Sequence, residues 1–265
     1  MILIGERINA GFKDIARAIR EQDPAPVKSW AEKQAQRGAD YLDVNIGAAS
    51  RKPEDMAWLV KTVQETVLTK ISVDSTNLEI VEAGLEAMDG RGGMINSTTA
   101  DPEKLERLIP LAVKYDVSLL GVAMDERGSP PDVERRVENG AMIFATAVEG
   151  GLEPDQIILD PILMPLKFMQ EQAKNVLEAI GQYTILSDPS PHISVGLSNI
   201  ASKAAERGLI LRTFLVMAIG QGLDAAICNV MDGELMAAIV TAELILNREI
   251  YSDSYVRAFQ ARRGL

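Results

Sequence analysis

The chain has 265 residues, which at roughly 150 per domain is about 1.8 domains and leaves one large α/β barrel or two small domains open. Hydrophobic residues make up 47%, charged residues 25% and aromatic residues 5%, which excludes a disordered chain and requires an aliphatic core of Val/Ile/Leu-rich strands. Twenty-seven Lys and Arg against 38 Asp and Glu give a net charge of −11, a surface that repels phosphate backbones and argues against nucleic-acid binding.

Residues 1–20 do not read as a signal peptide, because Glu6 and Arg7 interrupt a short apolar stretch. The uncharged run 213–223 is about half of what a membrane span needs. The single cysteine, Cys228, excludes an internal disulfide framework and fits a reducing compartment. The expectation is a cytoplasmic protein without a membrane partner.

Along the chain, short apolar runs at 2–7, 41–45, 71–74, 93–96, 118–124, 157–160, 193–198 and 225–229 read as strands. Segments with helical periodicity follow them at 27–37, 54–67, 78–88, 102–115, 131–148, 169–183, 209–221 and 233–246. Eight strand–helix units in about 250 residues are what a closed (β/α)₈ barrel requires. An open doubly wound sheet usually carries a Gly-rich phosphate turn after its first strand, whereas here that strand runs into Gly5-Glu6-Arg7-Ile8-Asn9. The reading is α/β, a single barrel domain over 1–265, with 249–265 a polar tail forming a short outer helix.

The chemistry of such barrels lies where strands end and loops begin. Those positions hold Glu6/Asn9, Asp43/Asn45, Asp74/Ser75, Asn96/Ser97, Met124/Asp125, Asp160, Ser198/Asn199 and Asn229. Asp, Ser and Asn are also good helix caps, so at least one residue of Asp74-Ser75-Thr76-Asn77 should cap the next helix, and Asp74 can serve as cap or ligand. Asn96 and Asn199 can each satisfy loop backbone instead. Asp43 and Asn45 alternate along their strand and should both point into the mouth. Pro161 holds Asp160 extended.

Absences narrow the reading. The only histidine, His192, starts the seventh strand on the face opposite the mouth, as a turn or solvent-edge residue. No lysine occupies a strand end on the mouth side, and Cys228 reads as core packing. Asp232 and Glu234 in the last loop oppose a phosphate site. No carboxylate pair has a convincing metal spacing, so no metal is expected. A mouth of carboxylates and amides suits a neutral heterocycle with N–H donors along one edge, such as the 2-amino group and ring N–H of a pterin.

The strings Gly5-Glu6-Arg7-Ile8-Asn9, Tyr41-Leu42-Asp43-Val44-Asn45, Asp74-Ser75-Thr76-Asn77 and Met94-Ile95-Asn96-Ser97-Thr98 resemble the pterin-binding methyltransferases. Asp160-Pro161 with Leu163 and Pro165, Gly196-Leu197-Ser198-Asn199, Arg212-Thr213-Phe214 and Asp253-Ser254 extend the resemblance over the whole chain. It looks closest to the methyltetrahydrofolate:corrinoid protein methyltransferases, relatives of the folate domain of cobalamin-dependent methionine synthase. The resemblance implies a TIM barrel, usually a homodimer. It also implies methyl transfer between N5 of tetrahydrofolate and the cobalt of cobalamin carried by a separate corrinoid protein, in a direction the sequence leaves open.

By the same resemblance, Asp74, Asn96 and Asp160 hold the pterin ring, and Asn199 hydrogen-bonds near N5. Gly196 and Ser198 line the Asn199 loop, while Met124 and Arg207 lie close to the folate. Asn199 and Asp160 are then the expected catalytic residues. The chain departs from the family at Ile200-Ala201-Ser202-Lys203, where a Ser-Gln pair is usual, and at Asn9-Ala10, where Asn-Gly is common. The Ser-Thr-Arg-Pro loop of dihydropteroate synthases is absent from 47–53, which sets that related activity aside. A folate-binding or corrinoid-docking barrel without catalysis is the other alternative.

Overall fold

The computed structural model of the chain describes residues 1–262. Eight parallel strands run β1 (Ile2–Asn9), β2 (Tyr41–Asn45), β3 (Lys70–Asp74), β4 (Gly93–Thr99), β5 (Ser118–Val122), β6 (Ile157–Asp160), β7 (His192–Ile193) and β8 (Ala225–Cys228). They form one sheet in the order β7-β6-β5-β4-β3-β2-β1-β8. The last seam, between β7 and β8, is thin. Ile227 N–H donates to Val195 O at 3.0 Å, Asp224 N–H to Ile193 O at 3.3 Å, and Gly196 bridges to Ile227. The sheet thus comes round to a nearly closed α/β barrel of the kind the eight-unit sequence pattern implies.

The helices are α1 (Lys13–Glu21), α2 (Pro24–Gln36), α3 (Pro53–Gln64), α4 (Leu78–Glu86), α5 (Pro102–Tyr115), α6 (Val133–Glu149), α7 (Gln170–Tyr183), α8 (Arg207–Gly220), α9 (Gly233–Ile245) and α10 (Tyr255–Arg262). Several helix starts carry their own caps. Asp23, Asn77, Asp101, Asp132 and Asp232 each accept from backbone N–H groups of the helix that follows.

Alternation along the strands sorts the core into two parts. Leu3, Leu42, Val44, Ile71, Val73, Ile95, Leu119, Ile157, Leu159 and Ala226 face the helices in the large outer core. Ile4, Tyr41, Met94, Leu120 and Ile158 fill the interior of the barrel. The strands are buried on both faces, which is why they read as continuous apolar runs.

Three differences from the sequence reading have physical causes. Helix α1 begins within residues 1–20 and has no counterpart among the expected helices, although its buried Ile15, Ala16, Ala18 and Ile19 mark a strongly amphipathic face; it shares the β1–β2 connection with α2, where one helix per unit was expected. The seventh strand does not run over 193–198. Only His192 and Ile193 keep ladder pairing with β6, because the chain must turn over the seam, and Leu197–Asn199 form a single 3₁₀ turn. In the tail, α10 occupies Tyr255–Arg262 and residues 263–265 lie outside the described residues.

His192 has a partner at the barrel floor. Its Nδ1 lies 2.6 Å from Asp224 Oδ2, and Asp224 Oδ1 accepts the Ile193 N–H at 2.7 Å. The Asp224 hydrogen bond raises the histidine above its ordinary pKa. A histidine raised on folding adds stability that is complete below the unfolded pKa of about 6.5 and is lost as pH rises through the folded value. The stability difference between the native chain and His192→Gln is therefore expected to shrink from pH 6 to pH 9. Urea midpoints across that range check it, and a constant difference contradicts it.

Candidate active site

One residue-pair step above the apolar interior, the inward positions become polar. Ile4 is followed two residues on by Glu6, Tyr41 by Asp43, Met94 by Asn96 and Ile158 by Asp160. Asp74 closes β3 beside Asn96 in the ladder. The structure therefore brings Asp74, Asn96 and Asp160 onto one inward layer at the C-terminal end of the barrel. Val122, two residues beyond Leu120, is the apolar member of that layer.

Asp43 is the hub on the β2–β4 side. It is 2% exposed, and its Oδ1 accepts from Ser72 Oγ at 2.7 Å and from Asn96 Nδ2 at 3.0 Å. Burial, reinforced by the charge of Asp74, pushes Asp43 well above the usual carboxylate range. Burial raises Asp74 as well, and the two carboxyl groups share a hydrogen bond, with Asp43, the more deeply buried, raised further. Asn45 Nδ2 donates to Asp74 Oδ2 at 2.7 Å, while Asn45 Oδ1 takes the Gly47 N–H. The Asn96 and Asn45 amides thus each spend one N–H within the protein. This side offers a ligand acceptor oxygen on Asp74 and Asn96. The helix-cap role expected somewhere in 74–77 belongs to Asn77, leaving Asp74 to the mouth.

Across the barrel, Asp160 is 6% exposed and accepts Ile162 N–H at 2.8 Å and Gly196 N–H at 3.1 Å. Burial pushes it up to about 6. It stays a strong acceptor at neutral pH with no cation among its perturbing groups. The carbonyl of Pro161, directly after it, is gripped by Arg136. That arginine is fully buried, donates from Nε to Pro161 O and from Nη1 to Asp132 O at 2.9 Å each, and is also bonded to Gln172. Arg136 fixes the peptide beside Asp160 from α6, a role that no local sequence pattern signals.

The 3₁₀ turn after β7 carries Ser198 and Asn199. Leu197 is buried, whereas the Asn199 side chain is exposed and, among the described residues, has no hydrogen-bond partner. Asn199 does not satisfy loop backbone through its amide. Ser198 Oγ donates to Glu6 Oε1 at 2.7 Å. Ser198 and Arg207 line a cavity of about 370 Å³ with Glu6, Leu197 and Asn229. Arg207 is exposed at the first turn of α8, and its Nη1 donates to Ala201 O at 3.1 Å. Met124 lies on the other side of the mouth, in a cavity of about 340 Å³ with Ser75, Ser97 and Val122. The two cavities share no residue. Asp125, beside Met124, is held by Arg127 and Arg135 at 3.0 Å each rather than facing the mouth unpaired.

Glu6, which the sequence pattern marked only as a polar strand end, joins the inward layer beside Asp43, which alternation had already pointed into the mouth. Alternation from Ile4 and Tyr41 is the signal that places them there. Among the described residues, no group of three His, Cys, Asp or Glu side chains forms a metal site, and no helix is long and apolar enough to cross a membrane.

A barrel with an acceptor-rich mouth of carboxylates and amides suits a flat heterocycle that carries N–H donors along one edge. The chain belongs to the pterin-binding enzyme family, whose model matches residues 5–229. It is 31% identical to a methylcorrinoid:tetrahydrofolate methyltransferase of Eubacterium limosum over 98% of this chain and 96% of that protein. It is 28% identical to a methionine synthase of Mycobacterium leprae (strain TN), over 86% of this chain and 20% of that longer protein. Among solved structures, a dihydropteroate synthase from Thermus thermophilus, in complex with 6HMPPP, superposes with a TM-score of 0.65. That match has 18% identity and covers 92% of this chain and 94% of that one, a likeness of fold.

Proposed function

We propose that this chain is a methyltransferase that moves a methyl group between N5 of tetrahydrofolate and the cobalt of a separate corrinoid protein. The observation that carries the reading is the near-full-length match to the Eubacterium limosum methyltransferase. The chemistry of the mouth fits the folate. Asp74 and Asn96 keep acceptor oxygens after their internal hydrogen bonds are made, and Asp160 adds a buried carboxylate. A pterin presents N–H donors to such a set, and paired N–H···carboxylate bonds fix its orientation as well as its affinity.

In the transfer, the methyl carbon exchanges its bond to N5 for a bond to cobalt, or the reverse. Toward cobalt, the Co(I) electron pair makes the new bond to carbon while the N5–C pair returns to N5, which takes up a proton; in the other direction N5 attacks and loses that proton while the Co–C pair returns to cobalt. An amine anion is a prohibitive leaving group, so charge developing at N5 must be met by a hydrogen-bond donor. The Asn199 amide, exposed and unengaged beside Gly196, is assigned that task. Asp160 and Asp74 hold the ring, and Met124 and Arg207 flank the rest of the folate on opposite sides. The same contacts serve both directions by microscopic reversibility. The chain acts as one barrel domain, pairs as a homodimer and works in the cytoplasm.

Mixing the protein with methylcobalamin and tetrahydrofolate, then following the corrinoid spectrum, tests the reading. Loss of the methylcobalamin bands with formation of 5-methyltetrahydrofolate is the expected result. Folate binding without transfer, to free cobalamin or to a corrinoid protein, would make the chain a binding subunit instead.

A further inference from the structure

The exposed Asn199 sits on a turn with little hold of its own. Its internal backbone bonds are Asn199 N–H to Gly196 O at 3.1 Å and Ile200 N–H to Leu197 O at 3.3 Å, the second near the limit of a hydrogen bond. The strand that delivers the turn keeps only two residues in the ladder. Leu166 N–H donates to Ile200 O at 2.9 Å just after the turn, and side-chain anchors come from two distant strands. On one side the Asp160 carboxylate takes the Gly196 N–H at 3.1 Å; on the other the Glu6 carboxylate takes the Ser198 hydroxyl at 2.7 Å.

Glu6 faces inward by alternation from Ile4. Pairing with β2 is regular at Ile4 and Gly5, shifts between Gly5 and Ile8, and resumes at Ile8 and Asn9, so Glu6 stands where β1 loses its register. With Cys228 and Asn229 at the end of β8 it lines the cavity beside the turn. We infer that Glu6 is a positioning residue: through Ser198 it clamps the 3₁₀ turn against the barrel and so aims the Asn199 amide at the reacting nitrogen.

The placement is costly for a purely structural residue. Burial raises Glu6 above its ordinary pKa, and only the Ser198 bond and the charge of Arg207 act in the other direction. An apolar side chain would fill a half-buried barrel position without that electrostatic cost. The inference rests on the proposed reading of Asn199, and its test separates the two.

The first arm needs no ligand. Hydrogen exchange of the unliganded protein is measured at the Asn199, Ile200 and Ser202 amides in Glu6→Ala, Glu6→Gln and Ser198→Ala. Glu6→Ala and Ser198→Ala are expected to speed exchange there by about tenfold, with β2–β5 unchanged and with Glu6→Gln close to the native chain. The second arm is methyl transfer from methylcobalamin to tetrahydrofolate. Glu6→Ala should lower kcat by about tenfold while the tetrahydrofolate KM moves less than about threefold. Glu6→Gln, which keeps an acceptor oxygen, should regain most of that rate. Glu6→Ala/Ser198→Ala should be no slower than either single variant, because both remove one interaction.

Unchanged exchange in the turn, or fully additive losses in the double variant, overturns the inference. It would mean that burial of Leu197 and Ile200 alone holds the turn. If Glu6→Ala fails to fold, Ser198→Ala removes the same bond and decides the matter. If the native chain transfers no methyl group, the functional reading fails, while the exchange arm still judges the clamp.

Discussion

Asn199→Ala is expected to lower turnover by at least about 10²-fold while weakening tetrahydrofolate binding by less than about tenfold. The Asn199 side chain is exposed and forms no hydrogen bond with the described residues, so removing it breaks no internal contact. The folded chain should therefore keep its stability, and the loss should appear in chemistry. A donor that meets charge only as N5 gains or sheds it is worth most in the transition state. Steady-state kinetics with a parallel binding titration separate the two quantities. Equal losses in turnover and affinity would assign Asn199 to uniform binding of the folate.

The second large effect is at Asp160. Asp160→Asn is expected to weaken pterin binding by about 30-fold, corresponding to about 2 kcal/mol for a charge-assisted hydrogen-bond pair. An amide has one acceptor oxygen, and its NH₂ group would face N–H donors. Part of the cost is internal, since the native carboxylate also receives the N–H groups of Ile162 and Gly196. The pH dependence gives a sharper signature. Burial holds Asp160 at about 6 in the free protein, and a ligand that donates N–H groups favours the ionised form. Pterin affinity should be full above pH 6 and fall by up to about tenfold per pH unit below it. In Asp160→Asn this component should vanish. Titrations between pH 5 and pH 8 check both, and an affinity in the native chain that rises toward pH 5 would contradict the assignment.

Much of the architecture was legible because it depends on short-range pattern. Buried parallel strands announce themselves as apolar runs, and the spacing of eight such runs left little choice of topology. Legibility falls where the chain departs from one strand and one helix per unit. Helix α1 adds a second amphipathic helix to the first connection, and the seventh strand is held by a few bonds to Leu159, Asp224 and Ile227 rather than by a full ladder. Alternation alone also pointed Asp43 into the mouth, and the structure adds what that residue does there. Burial beside Asp74 raises it well above the usual carboxylate range, and it accepts from Ser72 and Asn96.

Arg136 shows the opposite case. A charged residue inside a helical pattern reads as a solvated face, yet here it is fully buried and spends its N–H groups on Pro161, Asp132 and Gln172. No periodicity distinguishes it, because its partners come from a loop and another helix. The 192-residue separation between Glu6 and Ser198 is equally invisible in sequence.

The amino-acid order by itself determined that strands and helices alternate, that the strand ends carry acids and amides, and that these point inward at one end. Those properties follow from side-chain alternation every two residues and need no knowledge of distant neighbours. Only the tertiary structure decided which acids burial raises, which amide N–H groups are already used, and which turn is held by which carboxylate. Hydrogen bonds and desolvation depend on atoms a few ångströms apart, and bringing a barrel's last strands round to its first makes neighbours of residues that lie far apart in the chain.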